Sequence, residues 1–322
     1  DPLWSRGLGD VYKRQLLISL PDSFQPQLLS NALKSIDTEL QIEIGAENVK
    51  NPSAVEFAVD WKNPQGHLLN YPNLKAISSY GHGVDNLLSD TKLPQGIPIV
   101  RLKDEIMANM MSEYLLAVVL LHRRQLLEYA KNPEFSEWGT NRYHPGNQIG
   151  ILGLGYLGQA SAKVFLKMGF KVSGWSRRLK QIDGISCFSG TKDLAKMLTQ
   201  TDYLVNLLPN TAFTQDLLNY QCLSTLKRGA YVINVGRGKT LVDEDLITLL
   251  DNGHLSGACL DVFRTEPLPS DHQFRNHEKI LITPHNSSTT QAESAAPQIL
   301  ENYKRAISGK KLLHLVDMKH GY

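Results

Sequence analysis

The chain has 322 residues, with 34 Lys+Arg against 32 Asp+Glu for a net charge of +2, and 42% hydrophobic and 20% charged residues, a composition that excludes a disordered or fibrous protein. A pI near 8.3 with no dense Lys/Arg stretch excludes the electrostatic footprint of a nucleic-acid binder, so the expected partner is a small molecule. At roughly 100–200 residues per domain the length suits two domains. Three widely spaced cysteines, Cys187, Cys222 and Cys259, read as buried free thiols of a reducing, cytoplasmic setting.

In chain order, residues 1–15 have neither periodicity nor the apolar core of a signal peptide, and are set apart from the fold as a non-native or disordered leader. Asp10-Val-Tyr-Lys-Arg-Gln15, back-translated as GAT-GTG-TAT-AAG-AGA-CAG, resembles the transposon end used to tag sequencing libraries. From Leu16 onward, apolar stretches at 16–20, 41–44, 55–61, 74–79 and 97–102 predict strands, separated by a helix over 27–40 or by Gly/Pro/Asn turns. This alternation predicts a parallel sheet covered on both faces. Residues 105–130, rich in Met, Leu and Val without Gly or Pro, predict one long helix, apolar nearly all round over 107–121. So much apolar surface motivates a homodimer through the 105–130 region. The longest apolar run, 114–121, is short of the roughly 20 residues that cross a bilayer, so no membrane partner is expected. Residues 132–147, holding Pro133, Gly139, Pro145 and Gly146, read as a linker.

A second alternation follows. Strands are predicted at 148–152, 170–175, 203–208, 230–235, 256–262 and 280–283, with helices at 157–168, 192–199, 215–226 and 243–252. Six strands fit a doubly wound sheet of Rossmann type. Residues 290–308 are again helical in composition, with Pro297 expected to kink the helix or start a new turn. Because the nucleotide-binding pattern starts only near 148, the first domain precedes it, and the last helix is expected to return to that domain.

The clearest chemical signal is Gly153-Leu-Gly155-Tyr-Leu-Gly158 between a predicted strand and helix. Gly153 allows the tight turn, Gly155 lets the backbone approach a pyrophosphate, and Gly158 lets the helix pack on the strand, with Tyr156 and Leu157 opening the helix that faces the anion. About 20 residues on, where an NAD site usually carries an acid for the ribose 2′-OH, stand Ser176, Arg177 and Arg178. A hydroxyl and two guanidiniums suit a 2′-phosphate, so NADP(H) is expected, with NADH weaker; the alternative is a solvated cluster of loop charges. Arg237, Glu266 and His285 each lie just past the carboxyl end of a predicted strand, the edge where open α/β sheets bind ligands. Singly, they read as a surface cation, a turn carboxylate before Pro267 and a satisfied core histidine. Together, beside a nicotinamide, they supply a carboxylate-binding cation, a proton donor and a carboxylate to tune that donor. His272 and His277 lack a further ligand at recognised spacing and read as a solvated loop, so no metal is expected.

These motifs, the glycine fingerprint, Asn234-Val-Gly-Arg237-Gly, Asp261-Val-Phe-Arg-Thr-Glu266-Pro-Leu-Pro269 and Thr283-Pro-His285, resemble the D-2-hydroxyacid dehydrogenase family. Ser79-Tyr-Gly81-His-Gly83-Val-Asp85, Trp175-Ser-Arg-Arg178, Leu207-Leu-Pro-Asn-Thr211 and Gly321-Tyr322 resemble its glyoxylate/hydroxypyruvate reductase branch. The resemblance implies two doubly wound α/β domains. A flavodoxin-like substrate domain, at 16–100 and 287–322, is interrupted by an inserted Rossmann NADP-binding domain at 101–286, with substrate in the cleft.

It further implies that Arg237 binds the 2-oxo acid carboxylate with bidentate geometry. His285 donates a proton to the carbonyl oxygen, and Glu266 favours the charged form of His285. Backbone N–H groups at His82 and Gly83 and the indole of Trp61 bind substrate, while Trp138 closes a pocket or packs at an interface. Leu208, Pro209, Val235, Gly236 and Asp261 contact the cofactor, though Asp261 and Asn234 read equally well as strand-end caps. Gly236, where the family often has alanine, is expected to be neutral, whereas His82 and Asn286 depart from the family pattern in ways that reshape the substrate and nicotinamide walls.

The activity implied is NADPH-dependent reduction of small 2-oxo acids, glyoxylate to glycolate and hydroxypyruvate to D-glycerate. Another dehydrogenase of the family is the first alternative. Glu266 in place of glutamine argues against formate chemistry, and the sequence shows no regulatory domain of the phosphoglycerate enzyme type. A nucleotide-sensing corepressor scaffold is the second alternative.

Overall fold

The computed structural model of the protein describes residues 14–131, 143–318 and 321; Trp138, Tyr322 and most of the expected linker lie outside them. The chain divides into two compact units, one ending at Asp104 and resuming at Thr290, the other running over Glu105–Thr289.

The first unit is built from β1 (Gln15–Ser19), α1 (Pro26–Ile36), β2 (Gln41–Ile44), β3 (Val55–Asp60), β4 (Ala76–Ser79), α2 (Asp85–Leu88) and β5 (Ile99–Val100). All pairings are parallel, in the order β2-β1-β3-β4-β5, which is the flavodoxin-like order. Side chains alternate across a strand, so Leu16 and Ile18 enter one core with Leu29, Leu33 and Phe57, while Leu17 enters another with Ala58, Leu68 and Ile77. A sheet buried on both faces needs such continuous apolar strands. β1 begins at Gln15, which pairs with Gln41, and the Arg14 carbonyl accepts the Tyr303 hydroxyl at 3.2 Å. Arg14 and Gln15 therefore belong to the fold, a correction to the leader boundary.

The second unit opens with α3 (Glu105–Arg123) and α4 (Leu126–Lys131). The single long helix expected here is broken at Gln125, whose φ of 53° lies in the left-handed region that ends an α-helix. By length and composition α3 is long enough and apolar enough to cross a membrane, more than its longest apolar run suggested. Yet Met111, Leu115, Val118 and Val119 form one buried stripe, packed with Ile149, Ile151, Ala162 and Phe165 of the same unit. Burying such a side chain contributes about 1.5–3 kcal/mol.

Next come β6 (Gln148–Leu152), α5 (Tyr156–Lys167), β7 (Lys171–Trp175), β8 (Ile185–Phe188), α6 (Gly190–Leu198), β9 (Tyr203–Asn206), α7 (Tyr220–Leu223), β10 (Ala230–Asn234), α8 (Asp243–Asp251), β11 (Leu255–Leu260) and β12 (Ile280–Ile282). They form a seven-stranded parallel sheet in the order β12-β11-β10-β9-β6-β7-β8. Counted from β6 this is the Rossmann order, with its topological switch between β6 and β9. The seventh strand, β8, escapes the sequence pattern because it has only four residues, with Ser186 exposed and only Ile185 buried. The helix expected over 215–226 shrinks to α7, because Asp216 N and Leu218 N bond to the carbonyls of Lys239 and Thr240, and a backbone used across loops cannot also propagate a helix.

The chain then returns to the first unit as α9 (Ala292–Ile307), which packs on α1 and β3. α9 continues through Pro297, where a kink or a fresh turn was expected. Burial of Ala295, Ala296, Ile299 and Leu300 offsets the lost backbone bond. Of the three cysteines only Cys259 is buried; Cys187 and Cys222 are half-buried. Burial pushes the Cys222 and Cys259 thiols up to about 12, so neither carries a reactive thiolate at neutral pH.

Candidate active site

The second unit gathers most of the singled-out residues along the carboxyl edge of its sheet. β6 is followed at once by Gly153, whose φ of 103° suits glycine alone; a Cβ there would also lie 3.1 Å from the Leu207 carbonyl. A Cβ on Gly158 would fall 1.9 Å from the Gly153 oxygen, whereas one on Gly155 would meet nothing within 4 Å. Thus Gly153 and Gly158 are required by the turn and by strand–helix packing. Gly155 leaves open space at the N-terminus of α5, where the first-turn N–H groups and the helix dipole favour an anion.

Ser176, Arg177 and Arg178 follow β7, with the Ser176 hydroxyl donating to the Arg178 carbonyl at 2.8 Å and both arginines exposed. Lys180, not among the residues expected from the sequence, donates Nζ to the Leu154 carbonyl inside the glycine loop at 2.6 Å; its place two residues beyond the arginines was the available signal. Leu208 and Val235 bury their side chains in the unit's cores, so what they can offer a ligand is backbone. Gly236 is not neutral here: a Cβ would stand 2.7 Å from the Leu208 oxygen, because the loops after β9 and β10 touch.

Arg237, Glu266 and His285 follow β10, β11 and β12 respectively, three adjacent strands, so residues distant in sequence stand about 5 Å apart from strand to strand. His285 Nδ1 lies 2.7 Å from Glu266 Oε2, and Glu266 Oε1 accepts the Phe263 N–H at 3.0 Å. The carboxylate thereby fixes the proton on Nδ1 and leaves Nε2 to act on a substrate. The His285 side chain is 38% exposed, enough for that edge to be reached. Arg237 is held by its own turn: Asn234 Nδ2 and the Thr240 hydroxyl both donate to its carbonyl, at 3.3 and 2.6 Å, and its Nη1 donates to the Gly236 carbonyl at 2.8 Å.

His285 has a φ of 53°, a left-handed conformation that a non-glycine residue keeps only when its surroundings demand it. Asp261 makes that demand. Fully buried, it accepts the N–H groups of Asn286 and Ser287 at 2.9 and 3.0 Å and the Thr283 hydroxyl at 2.6 Å. Thr283 spends its proton on this carboxylate, so the Tyr114 hydroxyl, 2.6 Å away, must be the donor to Thr283. Burial, with Cys259 and Asp261 nearby, pushes the Tyr114 phenol far up and keeps it a donor. Asp261, for which cofactor contact and strand-end cap were both expected, caps the strand end and holds the His285 loop, and Asn234 likewise caps its own turn. Tyr114 and Thr283 carried no sequence signal, since the contact joins positions 169 residues apart. His272 and His277 are not merely solvated, for each pairs with a carboxylate, Asp243 at 3.5 Å and Asp251 at 3.3 Å.

In the first unit, Trp61 and the loop holding His82 and Gly83 lie at the carboxyl ends of β3 and β4. The Trp61 ring rests on Gly81, where a Cβ would be 3.0 Å from two ring carbons. The Ser79 hydroxyl donates to the Gly83 carbonyl at 2.7 Å, and His82 Nδ1 lies 3.1 Å from the Leu102 carbonyl.

Comparison with known proteins places this architecture in a family. Residues 116–287 match the D-isomer specific 2-hydroxyacid dehydrogenase NAD-binding domain. The chain is 39% identical over 289 residues to glyoxylate/hydroxypyruvate reductase A of Serratia proteamaculans, covering 88% of this chain and 92% of that protein. A D-isomer specific 2-hydroxyacid dehydrogenase from Xanthobacter autotrophicus Py2, solved with NADPH and MES, superposes with a TM-score of 0.90 at 35% identity, over 97% of this chain and 100% of that one. An NADPH-dependent glyoxylate/hydroxypyruvate reductase from Sinorhizobium meliloti, solved with NADP and sulfate, gives a TM-score of 0.88 at 33% identity, over 96% and 100%. With more than half its length matched by the family's nucleotide-binding domain and close relatives along nearly all of it, the chain belongs to the D-isomer specific 2-hydroxyacid dehydrogenase family.

Proposed function

We propose that the protein is an NADPH-dependent reductase of small 2-oxo acids, converting glyoxylate to glycolate and hydroxypyruvate to D-glycerate. The observation that carries this reading is the 2.7 Å His285–Glu266 pair on the same sheet edge as the open glycine turn. The relatives named above support the substrate class. Gly153, Gly155 and Gly158, with Tyr156 and Leu157, would hold the pyrophosphate. Ser176, Arg177 and Arg178 would hold a 2′-phosphate, and backbone at Leu208, Pro209, Val235 and Gly236 would line the dinucleotide. Bound there, the reduced dinucleotide supplies the hydride.

The chain's own residues do the rest. Arg237 pairs with the substrate carboxylate through its guanidinium fork. In the first unit, Trp61, His82 and Gly83 are assigned to the 2-oxo acid. His285, doubly protonated beside Glu266, gives the Nε2 proton to the carbonyl oxygen as the carbonyl carbon is reduced, and Glu266 keeps the ring oriented throughout. The product is the 2-hydroxy acid, and the exposed ring regains its proton from water. A cytoplasmic homodimer using the α3 region completes the proposal; a monomer mass in solution at micromolar concentration would rule out the dimer.

A panel of 2-oxo acids assayed with NADPH and NADH tests the reading. Turnover of glyoxylate and hydroxypyruvate with a lower KM for NADPH is expected. A clear preference for NADH rejects the cofactor assignment, and no turnover of any 2-oxo acid rejects the reductase.

A further inference from the structure

At the carboxyl end of β3 lies a polar cluster that the proposed reaction does not use. Asp60 is only 3% exposed. Its Oδ1 accepts Asn63 Nδ2 at 2.7 Å and lies 2.7 Å from His67 Nε2. Asn63 Nδ2 also donates to the Ser19 carbonyl at 2.6 Å, and His67 Nδ1 lies 3.0 Å from the Pro64 carbonyl. A carbonyl oxygen only accepts, so Nδ1 carries a proton, and the Asp60 carboxylate 2.7 Å from Nε2 favours a charged ring through its field. The imidazolium is the form that both donates to Pro64 and pairs with the Asp60 charge.

Trp61 sits inside this stitched segment. Its N–H donates to the same Ser19 carbonyl at 3.2 Å, and its ring covers Gly81. Trp61 Nε1 is buried with no hydrogen-bond partner among the described residues, an arrangement that suits a donor kept for an arriving oxygen.

We propose that Asp60, Asn63 and His67 form a positioning device that, while His67 is protonated, holds Trp61 over Gly81 and thereby sets how tightly the 2-oxo acid is bound. The inference rests on the assignment of Trp61, His82 and Gly83 to substrate. Besides Asp60, the charged and titratable groups around His67 are Asp90, which accepts the Gly66 N–H at 2.8 Å, and Lys92, whose side chain lies against Gly66. Tyr71, pushed up by burial and by Glu47 and Asp60, stays neutral. Burial disfavours the charged ring of His67, but the hydrogen bond and charge of Asp60, with Asp90, outweigh it and raise its pKa above the ordinary histidine value. A raised pKa means the device is intact at low pH and is lost as pH rises through that value.

The test is the KM for glyoxylate or hydroxypyruvate, measured on the full chain at saturating NADPH from about pH 6 to about pH 9. The difference between the parent protein and His67→Gln isolates the device from every other pH-dependent step. The parent should show a rise in KM of about three- to tenfold on the alkaline side, the size of one coupled pair. His67→Gln and Asp60→Asn should remove that rise, leaving the KM for NADPH in place. By NMR, the His67 ring should titrate above 6.5 in the parent and drop to or below that value in Asp60→Asn. An alkaline rise that persists in His67→Gln, or a His67 midpoint unmoved by Asp60→Asn, overturns the proposal. If Asp60→Asn fails to fold, His67→Gln still decides through KM. Absence of turnover in the parent rejects the reductase reading instead, and the His67 titration then judges the cluster by itself.

Discussion

The two units share one architecture and differ in what their carboxyl edges carry. Both are parallel sheets wound on both faces, so topology alone puts a ligand-facing edge on each. On the second unit that edge presents polar, titratable side chains from adjacent strands, Arg237, Glu266 and His285, each braced by a buried hydrogen-bonded group behind it. On the first it presents backbone and an indole, Gly81, Gly83 and Trp61, braced by a buried acid–histidine pair. The difference teaches that a fold chooses where chemistry occurs, while the residues in the strand-end turns choose whether that edge reacts or only binds.

Several substitutions sharpen or break this contrast. If the second edge does the chemistry, His285→Ala should lower kcat by about 10²–10⁴-fold with the Kd for NADPH nearly unchanged; full activity would end the assigned role and the contrast with it. Next in size, Asp261→Ala removes three hydrogen bonds from the His285 turn. It should cut kcat more than it raises KM and lower stability by about 3–5 kcal/mol, readable by denaturant titration. Replacing both Arg177 and Arg178 by Gln should raise the KM for NADPH by about 10–100-fold and leave that for NADH within a few-fold, since only the 2′-phosphate loses its cations.

Gly236→Ala drives a Cβ toward the Leu208 carbonyl and should cost about 1–3 kcal/mol in a thermal melt. The smallest effect belongs to Arg264, whose Nε donates to the Leu241 carbonyl at 2.9 Å and whose guanidinium pairs with Asp216 and, at 3.7 Å, with Asp243. With Arg264 and Asp216 33% and 43% exposed, solvent screens the pair. Arg264→Met should cost about 1 kcal/mol or less.

Legibility differed between the units for the same reasons. In the second, the glycine turn and the strand-end residues were readable because each is a local demand: a tight turn needs glycine, and a strand end places its next side chain on the edge. In the first, Asp60 and His67 went unread. A lone acid after an apolar strand and a histidine seven residues on look like loop polarity until folding buries the acid. The strand β8 was missed, and the helix expected over 215–226 was read too long, because neighbouring segments, not their own periodicity, decide their conformation.

By itself the sequence determined the alternation of strands and helices, the parallel two-domain α/β class, the glycine turn and the Arg237, Glu266 and His285 set. Each follows from periodicity or from a residue type that its local backbone requires. Tertiary structure alone decided the sheet orders, the break in the helix at Gln125, the Asp261 and Thr283 brace beneath His285, the intolerance at Gly236 and the pairing of Asp60 with His67. Those depend on burial and on hydrogen bonds between segments far apart in the chain. Such contacts have no periodicity to read, and their energies exist only once water has been excluded.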